Sequence, residues 1–334
     1  MSGKLTFGFH YDFRNPAQWR RPSEELYSET LDIIAATEAL GFGAAYLPEH
    51  HLAADGYVPG PLIVLAAIAA RTKSMRLGTG VALAPLYHPV RFAEDAVLLD
   101  ILSNGRLDLG LGIGYRKRET AAFGTDFSHR GVLFDEFLQI VTRLWAGETI
   151  DFEGRHLSIK GAELRPAAPR GRIPMYIGGF SEKALDRVLR HGDGYIGTAD
   201  TADIFVEKLR ERGSKAASLG VRILALGSFV ARDPEAATEE LAPYFLHTNN
   251  DYARYQAEDQ ALGREGQKFQ TLEEFKANGD FKIQTPDELI ATLKEMQSRM
   301  SIEHYVLARP PGLPAERFLR YAEDFARDVI PAFT

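Results

Sequence analysis

The feature that most constrains this chain is its alternation. Short runs rich in apolar and β-branched residues are each followed by a stretch with apolar residues every three or four positions. A helix between two strands returns the chain to the edge it left, so such strands pair in parallel. Eight runs carry the pattern: Leu5–Phe9, Ala44–Leu47, Met75–Leu83, Leu107–Ile113, Met175–Ile177, Tyr195–Thr198, Ile223–Val230 and His304–Ala308. Eight strands each joined to a helix predict a (β/α)8 TIM barrel. A doubly wound open sheet is the rival for the same alternation.

Local signals mark the helices between the runs. Ser23 is the expected cap of the first, with Glu24 and Glu25 in its opening turn and Gly41 at its end. A second runs near Pro61–Arg71. A third opens at Pro89, carries Val90, Ala93, Val97 and Ile101 at helical spacing, and stops at Asn104–Gly105. Leu133, Phe137, Ile140 and Leu144 share one face of the fourth. Ser181 caps another, and Thr285-Pro286-Asp287-Glu288 reads as a capping box. Two insertions are expected. Thr149–Ile159 reads as a β-hairpin before strand 5, turning at Glu153–Gly154. The polar segment Pro243–Lys282 has no strand signal and reads as a helical insertion after strand 7, either a lid or a plain excursion. No Pro-, Gly- or Ser-rich linker divides the chain, so all 334 residues are read as one domain.

Composition narrows the function. With 45% hydrophobic residues a large core is affordable. Acidic residues outnumber basic ones, 46 to 39, which argues against nucleic acid as a partner. There is no cysteine, so disulfides, thiolate metal sites and a cysteine nucleophile are excluded. The opening MSGKLTFGFHYDF lacks the apolar core of a secretory signal, and the longest apolar run, Leu62–Ala70, is too short to span a bilayer. A cytoplasmic protein away from the membrane is expected.

In a parallel barrel the chemistry sits where the strands end. The residues after the runs are polar and glycine-rich: His10, Tyr11 and Asp12; Glu49, His50 and His51; Tyr87 and His88; Gly114, Tyr115, Arg116 and Glu119; Gly178, Gly179 and Ser181. Glu49-His50-His51 could suggest a metal site. Adjacent residues of an extended strand point to opposite sides, however, and no metal-binding spacing supports them, so no metal is expected. A general acid/base role suits one histidine, and rim hydrogen bonding suits His51. Gly110–Gly114 lacks the third glycine of a dinucleotide fingerprint and reads as a strand closely approached by a flat ring or another backbone. Gly178-Gly179-Phe180-Ser181 opens a helix after a strand. With Arg130 near another helix start, it offers an anion site suited to phosphate. Phe9, Tyr11, Tyr87, Tyr115 and Phe180 are expected on the pocket side, which suits an apolar or aromatic molecule.

Four stretches together resemble the bacterial luciferase-like flavin-dependent monooxygenases: residues 47–56, 76–119, 123–130 and 173–185, of which the second is the most specific. The resemblance runs from Leu5 to about Ser228. It implies a flavin at the mouth of an eight-stranded barrel, and a homodimer. It places His50 on the catalytic histidine and Gly80–Val81 on a non-prolyl cis peptide against the ring. It places Arg130, Gly179 and Ser181 on the phosphate positions, and Tyr115 and Glu119 along the pocket. One departure stands out: many FMN-using members have an arginine where this chain has Ile113.

Three functions follow from the resemblance. The first is a two-component monooxygenase using reduced FMN as co-substrate with O2, served by a separate flavin reductase, with His50 and Glu119 as its catalytic pair. The second is a deazaflavin-dependent hydride-transfer oxidoreductase, to which Ile113 points. The third is a non-catalytic flavin-binding protein, against which the retained Glu49, His50, Gly80 and Val81 speak.

Overall fold

The computed structural model describes residues 4–212, 219–259, 268–278 and 281–334. In chain order the elements are β1 (Thr6–His10), α1 (Ser23–Ala39), β2 (Ala44–Leu47), α2 (Pro61–Arg71), β3 (Arg76–Thr79), β4 (Ala82–Leu83), α3 (Pro89–Leu102), β5 (Leu107–Gly112), α4 (Lys117–Ala122), α5 (Arg130–Trp145), β6 (Ile150–Glu153) and β7 (Ser158–Ala162). Then come β8 (Met175–Ile177), α6 (Glu182–His191), β9 (Gly194–Gly197), α7 (Ala199–Glu211), β10 (Gly220–Ala225), β11 (Ser228–Val230), α8 (Pro234–Asp259), α9 (Leu272–Asn278), β12 (Lys282–Gln284), α10 (Pro286–Arg299), β13 (Ile302–Ala308) and α11 (Ala315–Asp328).

Eight strands close a parallel barrel in the order β3, β2, β1, β13, β10, β9, β8, β5, and β5 pairs back to β3. This is the TIM barrel expected from the alternation, and the open-sheet rival is set aside. Strand periodicity decides which side chains fill it. Phe7 and Phe9 of β1 point outward, where Phe9 meets Phe42 at 4.5 Å and Phe318 of α11 at 4.8 Å. Gly8 and His10 alternate with them on the inner face.

The floor of the barrel holds a buried polar cluster. Asp108 of β5 pairs with Arg222 of β10 at 2.7 Å and with Arg76 of β3. Arg222 also donates to the Tyr46 hydroxyl at 2.5 Å and stacks 3.4 Å over the Tyr176 ring. Because arginine can only donate, the Tyr46 oxygen accepts from it, and the tyrosine proton is directed to His304 Nδ1 at 3.0 Å. His304 is then a neutral ring protonated at Nε2. Burial holds its pKa well below the ordinary value, assisted by the Arg222 charge.

Several elements differ in detail from the sequence reading. The run Met75–Leu83 is two strands, β3 and β4, interrupted by a cis Gly80–Val81 peptide. The run Ile223–Val230 is also two, β10 and β11, and β11 leaves the barrel to pair with β12. The helix expected within Pro243–Lys282 begins earlier, at Pro234, and the segment ends at a strand residue, Lys282. Its residues 260–267 and 279–280 lie outside the described set. Ser23 is the first residue of α1 rather than its cap, a place taken by Pro22. The Thr285 capping box is formed in full. Among the described residues no helix is long and apolar enough to cross a membrane.

Candidate active site

The C-terminal ends of β2 and β5 bring together two residues 69 positions apart. His50 follows β2, and Glu119 lies in the first turn of α4. His50 Nδ1 and Glu119 Oε1 are 2.9 Å apart, and both residues are buried. The same oxygen accepts the His51 backbone N–H at 2.8 Å and a longer contact from Arg116 Nη1 at 3.5 Å. Burial pushes the Glu119 carboxyl upward, but the hydrogen bonds from His50 and His51 and the Arg116 charge outweigh it and hold the pKa below the usual range. An ionised carboxylate accepts only, so Nδ1 carries the proton. The opposite nitrogen, Nε2, makes no hydrogen bond to any described residue.

Aromatic rings enclose this histidine. Tyr57 stands 4.9 Å from it and Tyr115 5.6 Å, while Tyr252 and Tyr255 of α8 are each 5.9 Å away. Helix α8 thus crosses the barrel mouth. It is fastened there by a 2.7 Å bond between the Tyr57 and Tyr252 hydroxyls and by Arg116, whose guanidinium lies 3.8 Å over the Tyr255 ring. A third fastening joins Arg14 to Asp55 at 2.5 Å and to Asp251, with His247 3.3 Å from each carboxylate. Asp55, His247 and Asp251 have metal-ligating chemistry and lie within 4.8 Å of one another. The Arg14 cation is seated among them.

His51 turns the other way. Its Nε2 meets Glu49 at 2.9 Å, and the second Glu49 oxygen accepts the Leu83 N–H at 2.8 Å. The two histidines therefore serve different carboxylates, as opposite faces of an extended segment require. Tyr87 shares a surface cavity with Glu49 and His51 and packs 5.0 Å from Phe92, on the His51 side rather than the His50 side.

The cis Gly80–Val81 peptide lies on the barrel wall facing β5 and β8. A Cβ on Gly110 would come 2.1 Å from Thr79 O, and one on Gly112 would come 2.7 Å from Val81 Cγ2. Gly110 is therefore required by a neighbouring backbone, Gly112 by the Val81 side chain, and Gly114 by its positive φ. His10 Nε2 lies 3.4 Å from Gly80 O. Burial lowers the His10 pKa to about 4 despite that bond, so the ring is neutral at neutral pH and donates to the carbonyl.

At the far side of the wall, Gly179 takes φ +120° and the Ser181 side chain accepts the Ala184 N–H at 3.2 Å, capping α6. Arg130 opens α5. It spends Nη1 on Phe127 O at 2.7 Å and leaves Nε without a partner. The two helices meet where Arg187 of α6 donates to Gly131 O at 3.0 Å. Phe180 is half exposed and Gly178 donates to Leu111 O at 2.9 Å. Gly114, at φ +71°, turns the chain from β5 toward Tyr115.

Tyr11 does not reach the mouth. Its hydroxyl is 3.0 Å from Thr37 of α1 and its ring packs against Phe9 and Phe318, in the helix layer. Phe9 lies there too. Tyr57, Tyr252, Tyr255 and Arg14, by contrast, line the mouth without having been singled out from sequence, while Arg116 stands there as its strand-end position predicts. Tyr252 and Tyr255 gave a faint signal, an i, i+3 pair in the polar C-terminal half of that helix.

The luciferase-like monooxygenase family model matches residues 6–300, and the chain belongs to that family. An F420-dependent glucose-6-phosphate dehydrogenase of Amycolatopsis mediterranei is 28% identical over 325 residues, covering 91% of this chain and 93% of that protein. An uncharacterized protein, y4vJ, of Sinorhizobium fredii is 30% identical over 182 residues, and there the match spans 54% of this chain and about half, 52%, of the relative. Among solved structures, monooxygenase RslO1 of Streptomyces bottropensis superposes with a TM-score of 0.80 at 23% identity, over 99% of this chain and 100% of that one. The FMN complex of the oxygenating constituent of 3,6-diketocamphane monooxygenase from Pseudomonas putida gives 0.74 at 16% identity, over 99% of each chain. The protein is an oxidoreductase of a family whose members use either FMN or F420, a deazaflavin.

Proposed function

We propose that this chain is the oxygenating component of a two-component monooxygenase, taking reduced FMN from a separate reductase and acting with O2 on a small, mostly apolar organic molecule. The observation that carries the reading is His50. Its ring is fixed at Nδ1 by Glu119, and its free Nε2 sits in a tyrosine-lined pocket under α8.

The residues present fit a flavin. Gly112 and Gly178 let Val81 pack closely against β5 and β8, which seats the cis peptide on the barrel wall where a flavin ring would lie. The start of α6 with its Ser181 cap, together with the spare Arg130 Nε, suits a phosphate. The Tyr115 hydroxyl is buried with no partner and is available to a ligand. Bound reduced flavin would supply the two electrons by which one oxygen atom of O2 enters the substrate and the other leaves as water. His50 Nε2 holds or moves the proton at the reacting edge, and Glu119 stabilises the ring when it is charged. His10 anchors the Gly80 carbonyl. Helix α8 with Tyr252 and Tyr255 excludes water from the pocket. Homodimerisation is supported by apolar side chains left exposed on adjacent helices: Ile63 on α2, and Leu98 and Leu102 on α3. A single monomeric species in light scattering would remove that part.

A second reading is hydride transfer with a deazaflavin. It is favoured by the full-length Amycolatopsis relative and by Ile113, where many FMN users carry arginine. Anaerobic titration with reduced FMN and with reduced deazaflavin, followed by air, separates the two. Tighter FMN binding and an oxygen-dependent transient absorbance support the first. Preference for the deazaflavin, with turnover unaffected by air, replaces it with the second. Binding of neither removes both.

A further inference from the structure

A cavity on the outer side of the mouth, between the segment after β1 and the start of α11, gathers three guanidinium groups. Its walls are Arg14, Asn15, Trp19, Arg21, Arg309 and the chain from Gly312 to Ala315. One carboxylate stands among them, Glu29, and Arg21 already pairs with it. Arg14 is engaged by Asp55 and Asp251, yet its Nη1 has no partner.

Arg309 is the unusual member. It is 5% exposed, and the one hydrogen bond its side chain makes to the described residues runs from Nη2 to Leu313 O at 3.2 Å. Among the described residues its Nε has no partner and no carboxylate comes within ion-pair distance, so the charges of Asp12 and Glu29 act on it only from farther away. Phe318 offers its ring at 5.6 Å, a weak substitute. Burying an arginine is costly unless something satisfies its donors and its charge. Beside it begins α11, a helix of 14 residues whose cap position is Pro314. Proline has no side chain to accept the first free N–H groups, so they and the positive end of the helix dipole are left to a ligand. The cavity is built rather than incidental. Gly312 sits flat against Trp19, whose ring a Cβ would approach to 2.4 Å.

We propose that this cavity binds an oxyanion, a phosphate or carboxylate group held by Arg309 and the N-terminus of α11. The group is either a free anion or the acid group of the substrate. The second source arises because Arg309 also lines the cavity under α8 with His10, Tyr57 and Tyr252. The inference stands apart from the flavin reading, since anion binding is measured on the protein without any cofactor.

The test is calorimetric titration of inorganic phosphate into the full chain, with crystals soaked in tungstate to locate the anion. Binding at one site is expected, with the anomalous peak beside the Arg309 guanidinium and Ala315. Arg309→Gln is expected to weaken phosphate at least about tenfold, Arg309→Lys less, and the rim variant Arg21→Gln least, while keeping the fold. Displacement of phosphate by benzoate would identify an organic acid reaching in from the mouth, and phosphate held against benzoate would identify a free anion. No binding by the wild type, a tungstate peak elsewhere only, or unchanged affinity in Arg309→Gln would overturn the proposal.

Discussion

The two ends of this barrel are both polar and both buried, yet they are built differently. At the floor, Asp108, Arg222, Arg76, Tyr46 and His304 all lie on strands, and the Asp108 charge is met at close range by two arginines. At the mouth, His50, Tyr57, Tyr115 and Glu119 stand after strand ends, and Tyr252 and Tyr255 arrive on α8. The floor leaves one buried donor unpaired among the described residues, Arg222 Nε, whose guanidinium lies over the Tyr176 ring; at the mouth the open groups face a pocket. Among the described residues the Tyr115 hydroxyl has no partner, and the outward nitrogen of His50 makes no hydrogen bond, its ring being held only at Nδ1. A compensated ion cluster on rigid strands does structural service. Spare donors and acceptors beneath a docked helix are what a site needs to receive something.

If that contrast is right, mutations at the floor and the mouth separate stability from activity. The largest effect is expected from Asp108→Asn. It leaves Arg222 buried with a neutral partner and should cost about 3–5 kcal/mol of unfolding free energy in a denaturant titration. Turnover per folded molecule should change far less. An Asp108→Asn protein as stable as wild type would show that the floor cluster is not a stabilising unit.

His50→Ala is the mirror image. Turnover should fall roughly 10²–10⁴-fold, the range for loss of a positioned acid or base. The denaturation midpoint should fall less than in Asp108→Asn, because the His51 N–H and Arg116 still meet the Glu119 carboxylate. Wild-type turnover by this variant with reduced flavin would remove His50 from the chemistry.

The sequence made some of this contrast visible and hid the rest. The eight strands were legible because alternating side-chain direction and helical spacing leave strong, opposite patterns. The His50 and Glu119 stations were legible because strand ends in a parallel barrel concentrate chemistry. Tyr11 was misplaced although the pattern was available: Phe7, Phe9 and Tyr11 share a parity and so share the outer face. β12 has three residues, too few to show alternation. The break at Gly80–Val81 was not legible from periodicity, since Met75–Leu83 reads as one continuous run. Tyr252 and Tyr255 could not be placed, because nothing local ties α8 to a histidine about 200 positions earlier.

A pH experiment sharpens the comparison at Asp12, which lies beside the mouth. Burial raises its pKa from 3.8 to about 6, outweighing the opposing charge of Arg14. A carboxyl whose folded value is raised binds its proton more tightly when folded. The stability it contributes is present below 3.8 and is lost as pH rises through about 6. The loss is on the order of 2–3 kcal/mol at 1.36 kcal/mol per pH unit. Asparagine keeps the acceptor for the Arg14 N–H but cannot ionise. The difference in stability between Asp12→Asn and wild type should therefore grow between these pH values, in favour of the variant. A constant difference would mean that Asp12 is not held protonated by the fold.

The smallest effect tests the idea of spare capacity most directly. Tyr115 buries its hydroxyl with no partner, and burial pushes its ionisation far above the ordinary tyrosine range, so the group is a neutral donor in waiting. If its purpose were structural, Tyr115→Phe would remove a favourable bond and destabilise the protein. With no bond to lose, the variant should instead match wild type or gain up to about 1 kcal/mol, because an unsatisfied polar group has been taken out of the interior. Its cost should appear only on ligand binding, as weaker affinity for reduced flavin or substrate by up to about tenfold, the worth of one hydrogen bond. A Phe variant that is less stable yet binds as tightly as wild type would reverse the assignment. Tyr115 would then belong with the floor's structural cluster in kind, and the division between the two ends would have to be drawn elsewhere.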